Sequence, residues 1–409
     1  MEVELTSTRG IAARGIAPAG ASKGSREAID LRDGGPAYGG FGVSRALGNV
    51  NGPIAAAILG RDAADQEELD RALIELDGAP NKSRLGGNAM IATSMAALRL
   101  AAESEHLPLW RHLAAGAAVR LPLPEIQIFG GGAHAGGRID IQDFLVIPVK
   151  AQSFAEALAM TADVYRAAGA QMSSRGRRYG VADEGGWWPA FDSNEEGLET
   201  LTRSIEAAGY GGGEVVISLD IAASEFYRDG RYRLSAEGRD FDPGDWLRMI
   251  AEWSRRFPIA SIEDPFAEDD AEGMRAVTAA LGDRVQIVGD DLLATNAARV
   301  RRAAEHAECN AALIKPNQAG TITETRQALE AARQAGFATI LSARSGETED
   351  VTIAHLAVGW NAGQLKVGSF ARSERMAKWN ELLRIEESLG SAAVFAGAAA
   401  LSASRRPAP

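Results

Sequence analysis

Four short apolar runs, residues 215–219, 259–262, 285–288 and 311–314, each give way within two residues to an acid or a lysine: Asp220, Glu263, Asp290 and Lys315. The intervals from 220 to 263, 263 to 290 and 290 to 315 are each long enough for a strand and a returning helix, so these side chains are expected on successive parallel strands. In a (β/α)8 barrel such residues converge on the mouth at the C-terminal ends of the strands, where catalytic groups gather. One acid at a strand end is ordinarily a solvated charge. Four in register point instead to a site. Carboxylate oxygens are the ligands Mg²⁺ prefers, and a lysine desolvated among cations can lose its proton near neutral pH.

Composition narrows the class. A chain of 409 residues is long enough for a sizeable core and two domains. A formal charge of −12 with no basic tract argues against nucleic acid. Cys309 is the only cysteine, which excludes an internal disulfide and a cysteine zinc cluster and fits a reducing compartment. No leader pattern and no apolar run of about 18 residues is present. The expectation is a cytoplasmic protein without membrane partners.

Residues 1–120 read as a small α+β domain: two strands to about residue 17, a Gly-rich loop 18–24 presenting the Ser22 hydroxyl, then helical periodicity from residue 42. Residues 122–124 (PLP) read as a hinge into a barrel spanning 121–409. His134 follows a glycine triplet that lets backbone approach a bound group. Glu184, in VADEGGWW (181–188), is expected in a partly apolar pocket that raises its pKa and suits a general acid, though a plain turn acid reads equally well. Arg175, Arg177 and Arg178 form a small basic cluster, ordinarily solvated, that beside a pocket could hold an extra phosphate. Arg344 and Ser345, one β/α unit after Lys315, form a candidate phosphate clamp, and Lys366 keeps the same spacing. The alanine-rich tail after Leu389 is expected to form a final helix with a frayed end.

The runs SIEDPFAEDD (261–270), DIAASEFY (220–227), GDDL (289–292), NQAG (317–320), SGETED (345–350), ARSERMAKWNELLRIEESLG (371–390) and PNKSRLGGNAMIATSM (80–95) together resemble enolase over essentially the whole chain. The resemblance implies an α/β, enolase-like architecture: an N-terminal α+β capping domain on a modified (β/α)8 barrel. It also implies one or two Mg²⁺ ions stabilising an enediolate. Carried over by position, Asp220, Glu263 and Asp290 would hold the first metal and Ser22 the second. Lys315 would be the base and Glu184 the acid, working with Asp143. His134, Gln142, Arg344, Ser345 and Lys366 would contact substrate. A phosphorylated or phosphonylated carboxylate and a homodimer are likewise implied.

This chain departs from the family pattern on the leaving-group side. Ala343 stands where enolases carry histidine, Asp143 where they carry glutamate, Gly130 where they carry asparagine, and Ala19 where they carry serine. Trp187 and Trp188 replace smaller or differently shaped residues, and enolases have a further strand before the position of Glu2, so the expectation is either an internal start or a capping domain without that edge strand. Retained ligands and base with a remodelled opposite wall suggest a specialised Mg²⁺ enzyme. The expectation is the carboxyphosphonoenolpyruvate synthase branch, with Ala343 and Gly130 enlarging the pocket and the arginine cluster receiving a cytidine nucleotide donor. The alternatives are phosphopyruvate hydratase, converting 2-phosphoglycerate to phosphoenolpyruvate, and a non-catalytic binding protein.

Overall fold

The structure, a computed structural model, describes residues 1–21 and 23–401. The chain opens with an antiparallel hairpin, β1 (Glu2–Thr6) and β2 (Ala12–Ile16), in the register Glu2↔Ile16 to Thr6↔Ala12. Val3 is buried while Glu2 and Glu4 face out, the alternation of a sheet covered on one side. The covering element is the helix Gly87–Ser104, which is buried along nearly its whole length because it lies between hairpin and barrel. Gly15 permits that contact: a Cβ there would stand 2.4 Å from the Ala92 carbonyl oxygen. Helices Ser44–Asn49 and Gln66–Asp77 complete the capping region.

The barrel is closed by β3 (Leu123–Gly130), β4 (Asp143–Ile147), β5 (Val216–Asp220), and then, after a small antiparallel sheet of β6 (Tyr227–Arg228), β7 (Arg231–Leu234) and β8 (Arg239–Phe241), by five more strands. These are β9 (Ile259–Glu263), β10 (Gln286–Gly289), β11 (Ala311–Ile314), β12 (Ala338–Ser342) and β13 (Gly363–Gly368). Their order around the barrel is β10-β11-β12-β13-β3-β4-β5-β9. All neighbours are parallel except that β4 is antiparallel to both β3 and β5. β4 therefore enters from the mouth at which its neighbours end.

The helix-side faces of the strands are apolar, with Ile126, Ile128, Ile217, Leu219 and Ile262 in one continuous core. The alternate positions carry polar groups into the interior, and these satisfy one another: Ser218 Oγ donates to Glu125 Oε2 at 3.1 Å, and Gln286 Nε2 lies 3.0 Å from Ser261 Oγ and 3.1 Å from Gln364 Oε1. Barrels of this kind are more often filled by layers of branched apolar side chains. This one is polar from its floor upward.

Two expectations need correction. The strand β3 begins inside the proline stretch read as a hinge, because Leu123 already pairs with Gln364. The tail after Leu389 does not form a helix within the described residues: helix Ser373–Leu389 stops at Gly390 (φ +53°), and only short 3₁₀ turns follow at Gly390–Ala392 and Gly397–Ala400. Apolar contacts of Phe395 and Ala398 with the barrel floor hold that segment down instead. No helix among the described residues is long and apolar enough to cross a membrane.

Asp70 fastens cap to barrel. Buried in the capping region, it accepts hydrogen bonds from Ser94 Oγ (2.6 Å) and from both Thr323 N (2.9 Å) and Thr323 Oγ1 (2.7 Å), at the start of barrel helix Ile322–Gln334. Asp70→Ala leaves those donors unpaired, and a loss of about 3 kcal/mol is expected in urea unfolding.

Candidate active site

Backbone register gathers the polar strand ends. Asp220 pairs across the sheet with Asp143 on one side and Glu263 on the other, and Glu263 aligns with Val288, placing Asp290 two residues beyond on the next strand. Lys315 follows the last residue of β11, and Lys366 aligns with Ser342. The expected side chains therefore share one mouth. Asp143 joins them because the reversed β4 begins where its neighbours end.

Two lysines bind the acids. Lys366 Nζ lies 2.7 Å from both Asp220 Oδ2 and Glu263 Oε2, and Lys315 Nζ is paired with Asp290. Burial would lower Lys366, but Asp220 and Glu263 outweigh it and hold the ammonium well above its ordinary pKa. In Lys315 burial again opposes charge, and Asp290 prevails. The acids still exceed the lysines. Burial and the neighbouring Asp220 charge push Glu263 well above the usual carboxylate range, and its Oε1 is buried without a partner. Gln142 Nε2 donates to Asp220 at 3.1 Å, and its Oε1 is likewise buried and free.

An all-oxygen set with surplus negative charge and unmatched acceptors fits Mg²⁺. Other acidic groups lie nearby: Asp264, Asp290 and Asp291 come close enough to hold an ion, as do His134, Asp143 and Glu184. Asp264 is already committed, accepting from Asp290 N at 2.9 Å and Asp291 N at 2.8 Å with φ +40°. Burial and the Asp290 charge push it up to about 8. Asp264 thus orients the ligand loop rather than competing as a ligand.

The second cluster lies across the pocket. His134 Nδ1 is 3.0 Å from Asp143 Oδ1, and Nε2 is 4.0 Å from Glu184 Oε1. Burial pulls the imidazole down, yet the Asp143 and Glu184 carboxylates push it up to about 9. Glu184 corrects the sequence reading. Burial does raise its pKa, but Arg375, with Nη1 at 3.6 Å, and His134 bring it below the ordinary value. Burial also raises Asp143 against the opposing pull of His134, so the proton of this cluster lies on the His134–Asp143 side and not on Glu184. The loop carrying Glu184 is shaped by Gly185, whose φ of +91° favours glycine.

Arg344 is buried and forked by Glu27, at 2.9 and 3.1 Å, with Asn317 Oδ1 at 3.0 Å. Glu27 also accepts from Gly24 N at 3.1 Å, and Gln318 Nε2 donates to Asp290 Oδ1 at 2.9 Å. Ser345 Oγ accepts from Ala21 N, and Ala19 and Gly346 exchange backbone hydrogen bonds of 2.9 and 2.7 Å. The loop from the cap thus lies over the clamp. Ser22 itself lies outside the described residues.

The remodelled positions behave differently from expectation. Ala343 does line the pocket, together with His134, Gln142, Asp143, Glu184, Asp220, Lys315, Arg344, Ser345 and Lys366. The space enclosed is only about 20 Å³, room for a water or two. Gly130 does not enlarge it, since a Cβ there would meet Ala182 Cβ at 2.7 Å and Gln127 Nε2 at 3.1 Å. Trp187 stacks on Tyr165 (4.7 Å) with Arg178 over its ring (4.6 Å), away from the pocket. Arg177 pairs with Asp192 and Glu196, and Arg175 lies 3.4 Å from Glu196, so the basic cluster is matched by acids.

Sequence reasoning missed Glu27, Gln127, Asp264, Gln318 and Arg375. Asp264, Gln318 and Arg375 sat inside runs that carried the resemblance, so a signal existed. Glu27 reaches Arg344 across more than three hundred residues of chain, and nothing in its local pattern marks it.

Family models described as "Enolase, N-terminal domain" and "Enolase, C-terminal TIM barrel domain" match residues 1–113 and 118–404. Among curated relatives, "Enolase 1" of Desulfitobacterium hafniense (strain Y51) is 51% identical over 97% of this chain and 91% of its own length. "Enolase" of Rubrobacter xylanophilus is 49% identical over 98% of this chain and 94% of its own.

The imidazolium of His134 should persist to about pH 9 in a nuclear magnetic resonance titration. Asp143→Asn removes the largest of its attractions and leaves burial less opposed. The His134 pKa should then fall by roughly 1–3 units.

Proposed function

Since this chain belongs to the enolase family, whose members are Mg²⁺-dependent lyases acting on a phosphorylated carboxylate, we propose that it is a phosphopyruvate hydratase, dehydrating 2-phosphoglycerate to phosphoenolpyruvate. The observation that carries this reading is the pairing of three strand-end carboxylates with two buried lysines at one mouth. Near 50% identity to enolases along the whole chain supports the hydratase over the synthase branch. An arginine cluster matched by acids gives a nucleotide donor no evident place.

Asp220, Glu263 and Asp290 would hold Mg²⁺, which supplies positive charge against the substrate carboxylate as its α-proton leaves. Lys315 takes that proton. With Asp290 engaged elsewhere, the larger of the attractions that keep the ammonium charged is weakened, and burial together with Arg344 and Lys366 favours the neutral amine. Lys366 faces the substrate carboxylate, and Arg344 with Ser345 receives the phosphate. Departure of the β-hydroxyl needs a proton on the opposite side. His134, charged between Asp143 and Glu184, is placed to give it, and so covers the role left open by Ala343. Ionised Glu184 keeps that proton on the imidazole until it is used.

The test is phosphoenolpyruvate formation from 2-phosphoglycerate with Mg²⁺. Rapid turnover is expected, abolished by chelation and restored by Mg²⁺. Lys315→Ala should lose about a thousandfold in kcat, as expected for a positioned base. Slow turnover of 2-phosphoglycerate alone, with a new phosphorus resonance only when a cytidylyl-phosphonoformate is added, would return the protein to the synthase branch.

A further inference from the structure

Two departures on the leaving-group side, Gly130 and Asp143, meet at a third residue. Gln127 is completely buried on β3, at the edge of a register shift between Gln127 and Phe129 in the pairing with β4. Its amide has one possible orientation. Gly186 N donates to Gln127 Oε1 at 2.8 Å, which turns the Nε2 hydrogens toward Asp143 Oδ1, where they are bonded. The same Asp143 oxygen takes His134 Nδ1 at 3.0 Å, while Asp143 Oδ2 stays buried with no hydrogen-bond partner. One amide thus ties the loop carrying Glu184 to the carboxylate that holds His134.

Space for this amide comes from glycine. A Cβ on Gly186 would lie 2.5 Å from Gln127 Oε1, and one on Gly130 would lie 3.1 Å from Nε2 and 2.7 Å from Ala182 Cβ. Any side chain at 130 displaces either the amide or the 182–186 turn. Asp143 is one methylene shorter than the glutamate implied by the resemblance, a withdrawal of roughly 1.5 Å, set by a C–C bond length. The long Gln127 side chain reaches across that gap.

We propose that Gln127 is a positioning residue for the leaving-group step: with Gly130 vacating its space, it fixes the short Asp143 and the Glu184 loop on either side of His134. The departures at 130 and 143 are then one arrangement: the reach that Asp143 lacks is supplied by Gln127, in the space that Gly130 leaves open. This rests on the reading that His134, Asp143 and Glu184 serve the departing hydroxyl.

The experiment compares Gln127→Met, Asp143→Glu, Gln127→Asn and the double variant Gln127→Asn/Asp143→Glu. Each is read by kcat, by KM for 2-phosphoglycerate, and by the downfield proton resonance of the His134 Nδ1–H, with circular dichroism to establish folding. Misplacing the carboxyl by about an ångström should lower kcat on the order of a hundredfold in each single variant, with KM within about threefold. The His134 resonance should be lost in the single variants. The double variant should regain both, to within about tenfold in kcat, because the summed reach of the two side chains is restored. A Gln127→Met enzyme with wild-type kcat and resonance, or a double variant as impaired as both singles combined, overturns the proposal. Should Gln127→Met not fold, Gln127→Asn against the double variant carries the same comparison. If the wild type does not dehydrate 2-phosphoglycerate, the reading of the reaction fails, yet the resonance still decides whether Gln127 fixes Asp143 and His134.

Discussion

Surplus negative charge at the barrel mouth is the constraint on which the rest of the site depends. Asp143, Asp220, Glu263, Asp264 and Asp290 are all buried within a few strand ends of one another. Left alone, carboxylates so placed repel one another in a medium that screens poorly. The chain answers with Lys315, Lys366, Arg344 and Arg375, each of which reaches an acid from a different element. The balance still falls short, as the raised Glu263 and its unmatched oxygen show. A divalent cation is the natural complement to such a deficit.

The architecture exists to hold those charges. Reversal of β4 brings Asp143 to the mouth from the first residue of its strand, opposite Asp220. Polar side chains below, from Glu125 through Gln127 and Ser218 to Gln286, give the buried charges hydrogen-bonding neighbours where apolar layers would strand them. From above, Glu27 of the cap grips Arg344, and the Gly24 amide reaches Glu27. The setting of Arg344 is thereby linked to the seating of the capping loop.

Much of this was legible in the sequence. The strand-end rhythm located Asp220, Glu263, Asp290 and Lys315 because hydrophobic periodicity and a polar terminus are local signals. His134, Gln142, Asp143, Glu184, Arg344 and Lys366 lie outside the long motifs and came by position from the resemblance those motifs carry. What could not be read was how side chains pair once folded. VADEGGWW suggests an acid in an apolar pocket, but Arg375 arrives from a helix nearly two hundred residues later and reverses the sign of the Glu184 shift. Gly130 looks like added pocket space until Ala182 and Gln127 are seen filling it. The antiparallel β4 is equally silent, since a buried strand has the same composition in either direction.

The most direct measurement is anomalous scattering from a crystal soaked in Mn²⁺ as a stand-in for Mg²⁺. A peak among Asp220, Glu263 and Asp290, with Lys366 displaced from its two carboxylates, is the expected result. A peak confined to Asp264, Asp290 and Asp291, or held by His134, Asp143 and Glu184, would contradict the assignment of the strand-end acids as the metal site.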